Sequence, residues 1–487
     1  MNAARHGFLI SAAHKSSGKT TVSIGLAAAM RARGLIVQPF KKGPDYIDPM
    51  WLGLAAGRPC RNLDLYLSEL EGIRTSWLQH GAGADVALVE GNKGLYDGIA
   101  LDGSDSNAAI AVALDLPVVL VIDCRGMTRG IAPLVLGYQA FDQNVKIAGI
   151  VLNRVGGKRH EGKLRDVLAH YTTVPVIGAI PETPELAILE RHLGLMPSNE
   201  ATDANDRVAA LCRIVEQNVD IDQLLALSTR AASNVTALPA RRRADVDASA
   251  NANTATLRVG IARDRAFGFY YPDDLEALEA AGATLVSIDT LHDERLPDID
   301  ALFIGGGFPE TLAATLESNV ALRADIRRAI ESGLPTYAEC GGLMYLTRAI
   351  TWQGRRHEMV GIIPAETVLE PKPVGRGYVE VEATADHPWW PAGTRVRAHE
   401  FHYSRLEGLP AEIPATCGWT MRRGTGLGNS RDGLRLHNLF ASYTHLRSQP
   451  GSDWAAGFIR FARSIRRSAL AARAVASTEG PSGSRTS

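Results

Sequence analysis

From residue 7 to about residue 225 the chain alternates short, almost wholly apolar runs with amphipathic segments, and no other feature restricts its fold as much. The runs fall at 7–12, 86–89, 118–122, 147–152 and 174–180. Strands that are apolar along their whole length are buried on both faces, and a helix between each pair returns the chain so that neighbours lie parallel. The pattern predicts a doubly wound parallel α/β domain over residues 1–228. It restarts at 257–262, with further runs at 284–288, 301–304 and 335–338, predicting a second α/β domain over 256–463. Residues 229–255 between them are rich in Ala, Ser, Asn and Arg without apolar period, as in a linker. The tail 464–487 carries basic residues and then Gly, Ser, Pro and Thr, and is expected to be disordered beyond one or two helical turns. At 487 residues and 45% hydrophobic, the chain can fill two cores.

Charge and cysteine usage narrow the function classes. With 52 Lys+Arg against 53 Asp+Glu the net charge is −1, which gives no footing for nucleic-acid or anionic-membrane binding and favours small-molecule chemistry. The five cysteines are scattered without CxxC pairs, which fits a reduced cytosol. The first apolar run passes directly into a Gly-Lys-Thr loop, leaving no room for a signal peptide. The most apolar stretch, 108–122, is interrupted by Asp115 and Pro117 and is too short to span a bilayer. A soluble, cytoplasmic protein is expected.

The first loop carries chemistry. Ala13-His14-Lys15-Ser16-Ser17-Gly18-Lys19-Thr20-Thr21 joins a strand to a helix pattern. A nucleotide needs main-chain amides around its phosphates at a helix N-terminus, an ammonium on the outer phosphates and a hydroxyl on magnesium. Gly18, Lys19 and Thr20 supply these parts, flanked by Ser17 and Thr21, although Ala13 replaces the usual first glycine. The stretch 41–49, Lys-Lys-Gly-Pro-Asp-Tyr-Ile-Asp-Pro, reads as a rigid loop after a strand that projects Asp45 and Asp48. Glu90 ends the apolar run 86–89, at the carboxyl end of a strand where open sheets bind ligands, and is a hard ligand suited to Mg²⁺.

In the second domain, Glu339-Cys340-Gly341-Gly342 follows a strand and precedes a helix pattern. A thiol at such a turn is held as thiolate by the helix N-terminus, and the glycines allow a tight elbow. Gly305, Gly306 and Gly307 end another strand and offer donors to an oxyanion. The best base for Cys340 is His445, near the domain's end, with His402 an alternative base or substrate contact and His399 a core or surface histidine. Cys60, Cys124, Cys212 and Cys417 read as structural.

The order and spacing of these motifs, together with Gly94-Leu95-Tyr96-Asp97-Gly98 and Gly305-Gly306-Gly307-Phe308-Pro309-Glu310, closely resemble the cobyrinic acid a,c-diamide synthase family over about residues 7–460. The resemblance implies a dethiobiotin-synthetase-like ATP domain followed by a class I glutamine amidotransferase domain of flavodoxin-like α/β fold. It implies Lys19 and Thr20 at ATP and Mg²⁺, Asp45 and Glu90 near the metal, and Asn153 at the adenine amino group. Tyr46, Asp48 and Asp97 would line the corrinoid or phosphoryl-transfer site. Cys340 would be the glutaminase nucleophile and His445 its base, with an oxyanion site at Gly306, Gly307 and Gly341. Arg447 stands two residues beyond His445, where many amidotransferases carry a glutamate, so a Cys-His dyad is expected and the group orienting His445 is left open.

The implied reaction is ATP-dependent amidation of the a and c acetates of cobyrinic or hydrogenobyrinic acid in cobalamin biosynthesis, with glutamine as nitrogen donor. The same chemistry on another tetrapyrrole, such as nickel sirohydrochlorin, is the related alternative. A nucleotide-switched partner-binding ATPase is the alternative of another class. Its signature lysine follows the first glycine position, where this chain has His14, and it would have no use for Cys340. Oligomeric state is open, with a homodimer as one option.

Overall fold

The computed structural model of the protein describes residues 4–183, 190–191, 194–229, 256–410, 416–449 and 451–478. The chain divides into two compact units, Met1–Arg242 and Arg243–Ser487. Residues 230–255 of the predicted linker lie outside the described residues.

The first unit opens with β1 (His6–Ala12), α1 (Lys19–Ala32), β2 (Val37–Lys42), α2 (Ile47–Ala56), β3 (Arg61–Leu63), α3 (Leu70–Gly81) and β4 (Val86–Glu90). It continues through α4 (Asn107–Ala113), β5 (Val118–Asp123), α5 (Ile131–Phe141), β6 (Ile147–Val155), α6 (Lys158–Tyr171) and β7 (Val176–Pro181). Two short strands, β8 (Glu190–Arg191) and β9 (Gly194–Leu195), precede α7 (Ala204–Asn218) and α8 (Ile221–Leu227). The seven strands β1–β7 form one sheet in the order β3-β2-β4-β1-β5-β6-β7, every neighbouring pair parallel. Leu9, Val89, Leu120 and Leu152 from its central strands lie in one buried cluster, which is why these segments are apolar throughout. The chain runs outward from β1 on one side through β2 and β3, and returns through β4 to β5 on the other. This reversal sets the loops after β1 and β4 beside each other at the carboxyl edge.

The second unit begins with β10 (Leu257–Ala262), β11 (Phe267–Phe269), α9 (Pro272–Ala280), β12 (Ala283–Ile288), β13 (Ala301–Ile304) and β14 (Gly306–Gly307). Then come α10 (Ala313–Ser318), α11 (Val320–Glu331), β15 (Thr336–Glu339), α12 (Gly341–Leu346), β16 (Thr347–Trp352), β17 (Arg355–Glu358), β18 (Ile363–Leu369), β19 (Gly375–Ala383) and β20 (Arg395–His402). It finishes with β21 (Ser404–Glu407), β22 (Trp419–Arg423), β23 (Arg431–Asp432), β24 (Leu434–Leu436), β25 (Leu439–Ser442) and α13 (Trp454–Thr478). The main sheet has the order β12-β10-β13-β15-β25-β24, parallel except for the last pair. Two further four-stranded sheets, β17-β16-β18-β21 and β20-β19-β22-β23, were not foreseen. Strands such as β19, with Arg376, Glu380 and Glu382 on the face opposite buried Val379 and Val381, are wet on one face and carry charges that hide them from a search for apolar runs.

The tail expectation needs correction. The last helix runs to Thr478, well beyond two turns after Ser464. Ala469, Leu470, Ala471, Ala472, Arg473 and Ala474 are strong helix formers, and no Gly or Pro interrupts the chain before Gly480. Residues 479–487 lie outside the described residues. Among those described, no helix is long and apolar enough to cross a membrane.

Candidate active sites

Beyond β1 the chain turns through Ala13–Ser17 into α1, capped by Gly18 at φ 86°. A Cβ there would fall 2.2 Å from Asn153 Nδ2, so both the left-handed backbone and the lack of space call for glycine. The loop is pinned by side chains: Asn153 Nδ2 donates to Ser17 O at 2.9 Å, Arg154 Nη1 to Ser16 O at 2.9 Å, and Ser17 Oγ to His14 O at 2.8 Å. Asn153 Oδ1 stays buried without a hydrogen-bond partner among the described residues. Lys19 opens α1 and is buried; burial, followed by the neighbouring Lys41 charge, brings its ammonium down to about 8 against the pull of Glu90, Asp48 and Asp97. Thr20 and Thr21 follow in the same turn, both half-buried.

β4 ends at Glu90, in register with Lys41 of β2 on one side and Ile10 of β1 on the other. Thr20 Oγ1 donates to Glu90 Oε1 at 2.6 Å and lies 3.3 Å from Asp48 Oδ2. Lys41 Nζ donates to Asp48 Oδ2 at 2.5 Å and Glu90 Oε1 at 3.1 Å, and stands 3.8 Å from Asp45 Oδ2. The Lys41 and Glu90 side chains are 3% and 0% exposed, so this is a buried ion cluster, not a solvated turn. Burial alone would lower the Lys41 ammonium, but the carboxylates of Asp48, Glu90 and Asp45 hold it above its usual range. Asp45 is pushed up to about 7 by burial and by the Asp48 charge, with Lys41 opposing; burial likewise raises Glu90 against Lys41. Glu90 Oε2 is buried with no hydrogen-bond partner among the described residues.

Two sequence expectations change here. The stretch 41–49 is not one loop: Lys41 and Lys42 end β2, and Asp48 and Pro49 lie in the first turn of α2, where proline's missing N–H costs nothing. Among the two aspartates, Asp48 approaches Thr20. Asp45 spends Oδ1 on the amides of Ile47 and Asp48, at 2.9 and 3.1 Å, and turns Oδ2 toward Lys41. Tyr46 is half-buried at the start of α2. Asp97 is exposed, accepts from Gly94 N at 2.9 Å and contributes charge near Lys19. Lys41 carries no local sequence signal of its place in the site. Its signal is the pairing of Phe40-Lys41 with Val89-Glu90, two apolar strands ending in opposite charges, visible only once β2 and β4 are known to be neighbours.

In the second unit β15 delivers Cys340 to a tight turn, with φ 48° and ψ −101°, at the N-cap of α12. A non-glycine residue in that region is strained, as a nucleophile elbow requires. Cys340 N donates to Ser442 O at 2.8 Å and its Sγ lies 3.8 Å from Phe401 O. His445, just past β25, bonds the thiol on one side. On the other, its Nδ1 is 3.3 Å from Glu339 Oε2. Burial disfavours its cation, but Cys340 and Glu339 together raise it to about 10. Glu339 Oε1 accepts from Tyr337 OH at 2.5 Å and Leu446 N at 2.9 Å.

His399 stacks on His445 with ring centroids 4.9 Å apart, and burial, reinforced by His445 and Arg447, keeps it neutral. His402 stacks on Tyr443 at 3.8 Å and its Nδ1 meets Ser404 O at 2.8 Å. A Cβ on Gly306 would come 2.8 Å from His445 Cε1, and one on Gly341 would come 2.9 Å from Gly307 N, so these glycines let the main chain close in on the thiol turn. Gly305 N donates instead to Tyr270 OH at 2.9 Å. Arg447 turns away, donating to Asp273 Oδ2 at 2.9 Å with its guanidinium over the Tyr271 ring.

One unit thus carries a phosphate loop beside a ring of carboxylates, and the other a cysteine elbow with a histidine: the parts of an enzyme joining nucleotide chemistry to glutamine amide transfer on one chain. Residues 9–195 match the CobQ/CobB/MinD/ParA nucleotide binding domain, and residues 258–451 the CobB/CobQ-like glutamine amidotransferase domain. A cobyrinate a,c-diamide synthase of Magnetococcus marinus is 46% identical over 454 residues, 93% of this chain and 96% of that protein. Those of Methanosarcina acetivorans and Syntrophotalea carbinolica are 41% and 40% identical, covering 94% and 93% of this chain and 96% and 98% of their own. The chain belongs to the cobyrinate a,c-diamide synthase family.

Proposed function

We propose that the protein amidates the a and c acetate side chains of cobyrinic or hydrogenobyrinic acid, using ATP and glutamine, as a cytoplasmic step of cobalamin biosynthesis. Its first domain, 1–228, activates the acid, and its second, 256–463, frees ammonia. The observation that carries this reading is the coexistence, in a chain of this family, of the Lys19–Thr20 phosphate loop and the Cys340–His445 pair.

In the second domain the Cys340 thiolate attacks the side-chain amide carbon of glutamine. Main-chain amides at Gly306, Gly307 and Gly341 receive the oxyanion, and His445 protonates the departing ammonia. Water, deprotonated by His445, then hydrolyses the thioester to glutamate and restores the thiol. In the first domain a substrate carboxylate attacks the γ-phosphate of ATP and expels ADP, giving an acyl phosphate that ammonia converts to carboxamide with release of phosphate. Ser17, Gly18, Lys19 and Thr21 cradle the phosphates, and Asn153, whose spare Oδ1 is a buried acceptor, takes the adenine amino group. Tyr46 and Asp97 face the acid substrate.

The all-oxygen donor set and the partnerless Glu90 Oε2 fit a hard cation. Thr20, Glu90 and Asp48, with Asp45 behind them, would hold Mg²⁺, which when bound supplies neutralisation of the transferring phosphoryl group. Lys41, whose charge reaches Lys19, would add a second ammonium beside the phosphates.

The test is Cys340→Ser assayed with glutamine and with ammonium salts, on cobyrinic, hydrogenobyrinic and nickel-sirohydrochlorin acids in parallel. Turnover is lost with glutamine and kept with ammonia on the corrinoid acids. Loss with both nitrogen sources, or preference for the nickel compound, overturns the reading.

A further inference from the structure

A histidine can act as base toward a thiol only if the nitrogen facing the sulfur is free of its proton. The proton must then sit on the other nitrogen, held there by an acceptor. We infer that Glu339, the residue immediately before the nucleophile, is that acceptor and therefore the positioning residue for His445. The inference rests on the reading of Cys340 and His445 as nucleophile and base.

Three observations support it. First, Glu339 Oε2 lies 3.3 Å from His445 Nδ1, and both side chains are 3% exposed, so solvent does not compete for the contact. This leaves Nε2 for the thiol. Second, the carboxylate cannot swing away. Its other oxygen is fixed by Tyr337 OH at 2.5 Å and by Leu446 N at 2.9 Å, the amide that follows His445. The parallel pairing of β15 with β25 sets Glu339 opposite Ser442, three residues before His445, and keeps the two in step. Third, the position two residues after His445 is engaged elsewhere: Arg447 pairs with Asp273 and covers Tyr271. The other titratable groups near His445 are Cys340, on the thiol side, and His399, stacked from β20 and kept neutral by burial; Asp274 faces Glu339 and Arg447. Among these, Glu339 alone is a carboxylate on the Nδ1 side.

Glutamine at this position can still accept from Tyr337 and Leu446 through its oxygen while presenting its amide N–H to Nδ1. That moves the imidazole proton to Nε2 and disables the base. Glu339→Gln is expected to lower kcat for glutamine hydrolysis by about a hundredfold to ten-thousandfold, in the range of a lost general base, with KM for glutamine little changed. Alkylation of Cys340 by iodoacetamide slows at neutral pH and recovers as pH is raised, because the imidazolium that stabilises the thiolate has lost its counter-charge. Glu339→Asp recovers part of kcat. A wild-type pH profile in Glu339→Gln, or a slowing equal at every pH, overturns the role of Glu339 and leaves the Cys-His pair intact. Glutamine hydrolysis that survives His445→Ala overturns the underlying reading instead. If Glu339→Gln does not fold, the wild-type protein carries the test: its proton NMR spectrum should hold a far-downfield imidazole N–H signal that disappears in His445→Ala, and absence of that signal overturns the inference.

Discussion

Replacing Lys41 with methionine tests the buried ion cluster directly. Methionine keeps an unbranched chain of similar length and removes the ammonium that lies 2.5 Å from Asp48 and 3.1 Å from Glu90. Taking one partner from a buried ion pair costs about 3–5 kcal/mol, because the remaining charge has neither water nor a counter-ion. At roughly 2–4 °C per kcal/mol for a unit of this size, the first domain should melt roughly 6–20 °C lower in EDTA at pH 7. The loss should deepen as pH rises. Burial already raises the folded Glu90 and Asp45 carboxyls, Asp45 to about 7, and without Lys41 they rise further. The folded protein then binds more protons than the unfolded chain between about pH 4 and those raised values, and stability falls as pH climbs through that window. Magnesium should restore more to the variant than to wild type, where the ammonium competes for the same oxygens; a cation at a hundred times its dissociation constant contributes about 2.7 kcal/mol. Differential scanning calorimetry with and without Mg²⁺ at pH 6 and pH 8 makes the measurement. If the variant melts with wild type in EDTA, or both gain equally from Mg²⁺, the cluster is not the electrostatic centre of this domain.

Other perturbations follow from the same geometry. Gly18→Ala, with a Cβ 2.2 Å from Asn153 Nδ2 at φ 86°, should abolish measurable ATP binding by titration calorimetry while leaving iodoacetamide labelling of Cys340 unchanged. Gly306→Ala pushes against His445 Cε1 from 2.8 Å and should reduce glutamine hydrolysis by about a hundredfold, the cost of moving a catalytic group by an ångström. Asp432→Ala strips the acceptor from Tyr443 N, Thr444 N and Thr444 Oγ1, destabilising the second domain by about 1–3 kcal/mol for each buried donor left unpaired, as read from its own melting transition.

The parts of this protein that announce themselves in sequence are those whose chemistry is local. Apolar runs betray strands buried on both faces, and Gly18-Lys19-Thr20 and Glu339-Cys340-Gly341 sit where a strand becomes a helix, so composition and position agree. What stayed hidden depends on neighbours distant along the chain. Lys41 resembles any loop lysine until β2 is laid against β4, 49 residues on to Glu90. The contact of Glu339 with the His445 turn spans 107 residues, through Leu446 N, and depends on β25 lying beside β15. Half-wet strands such as β19 and β20 alternate charge with apolar residues and lack the continuous signal that marks the central sheet.

Seating Glu339 and Cys340 on adjoining residues of one rigid strand end has a mechanical outcome. Any shift of that strand carries sulfur and carboxylate together, so the imidazole between them keeps its bearing while the surroundings flex. It also frees the site two residues past the histidine for other work, and this chain uses it as a rivet: Arg447 fastens the end of the last strand to the first turn of α9.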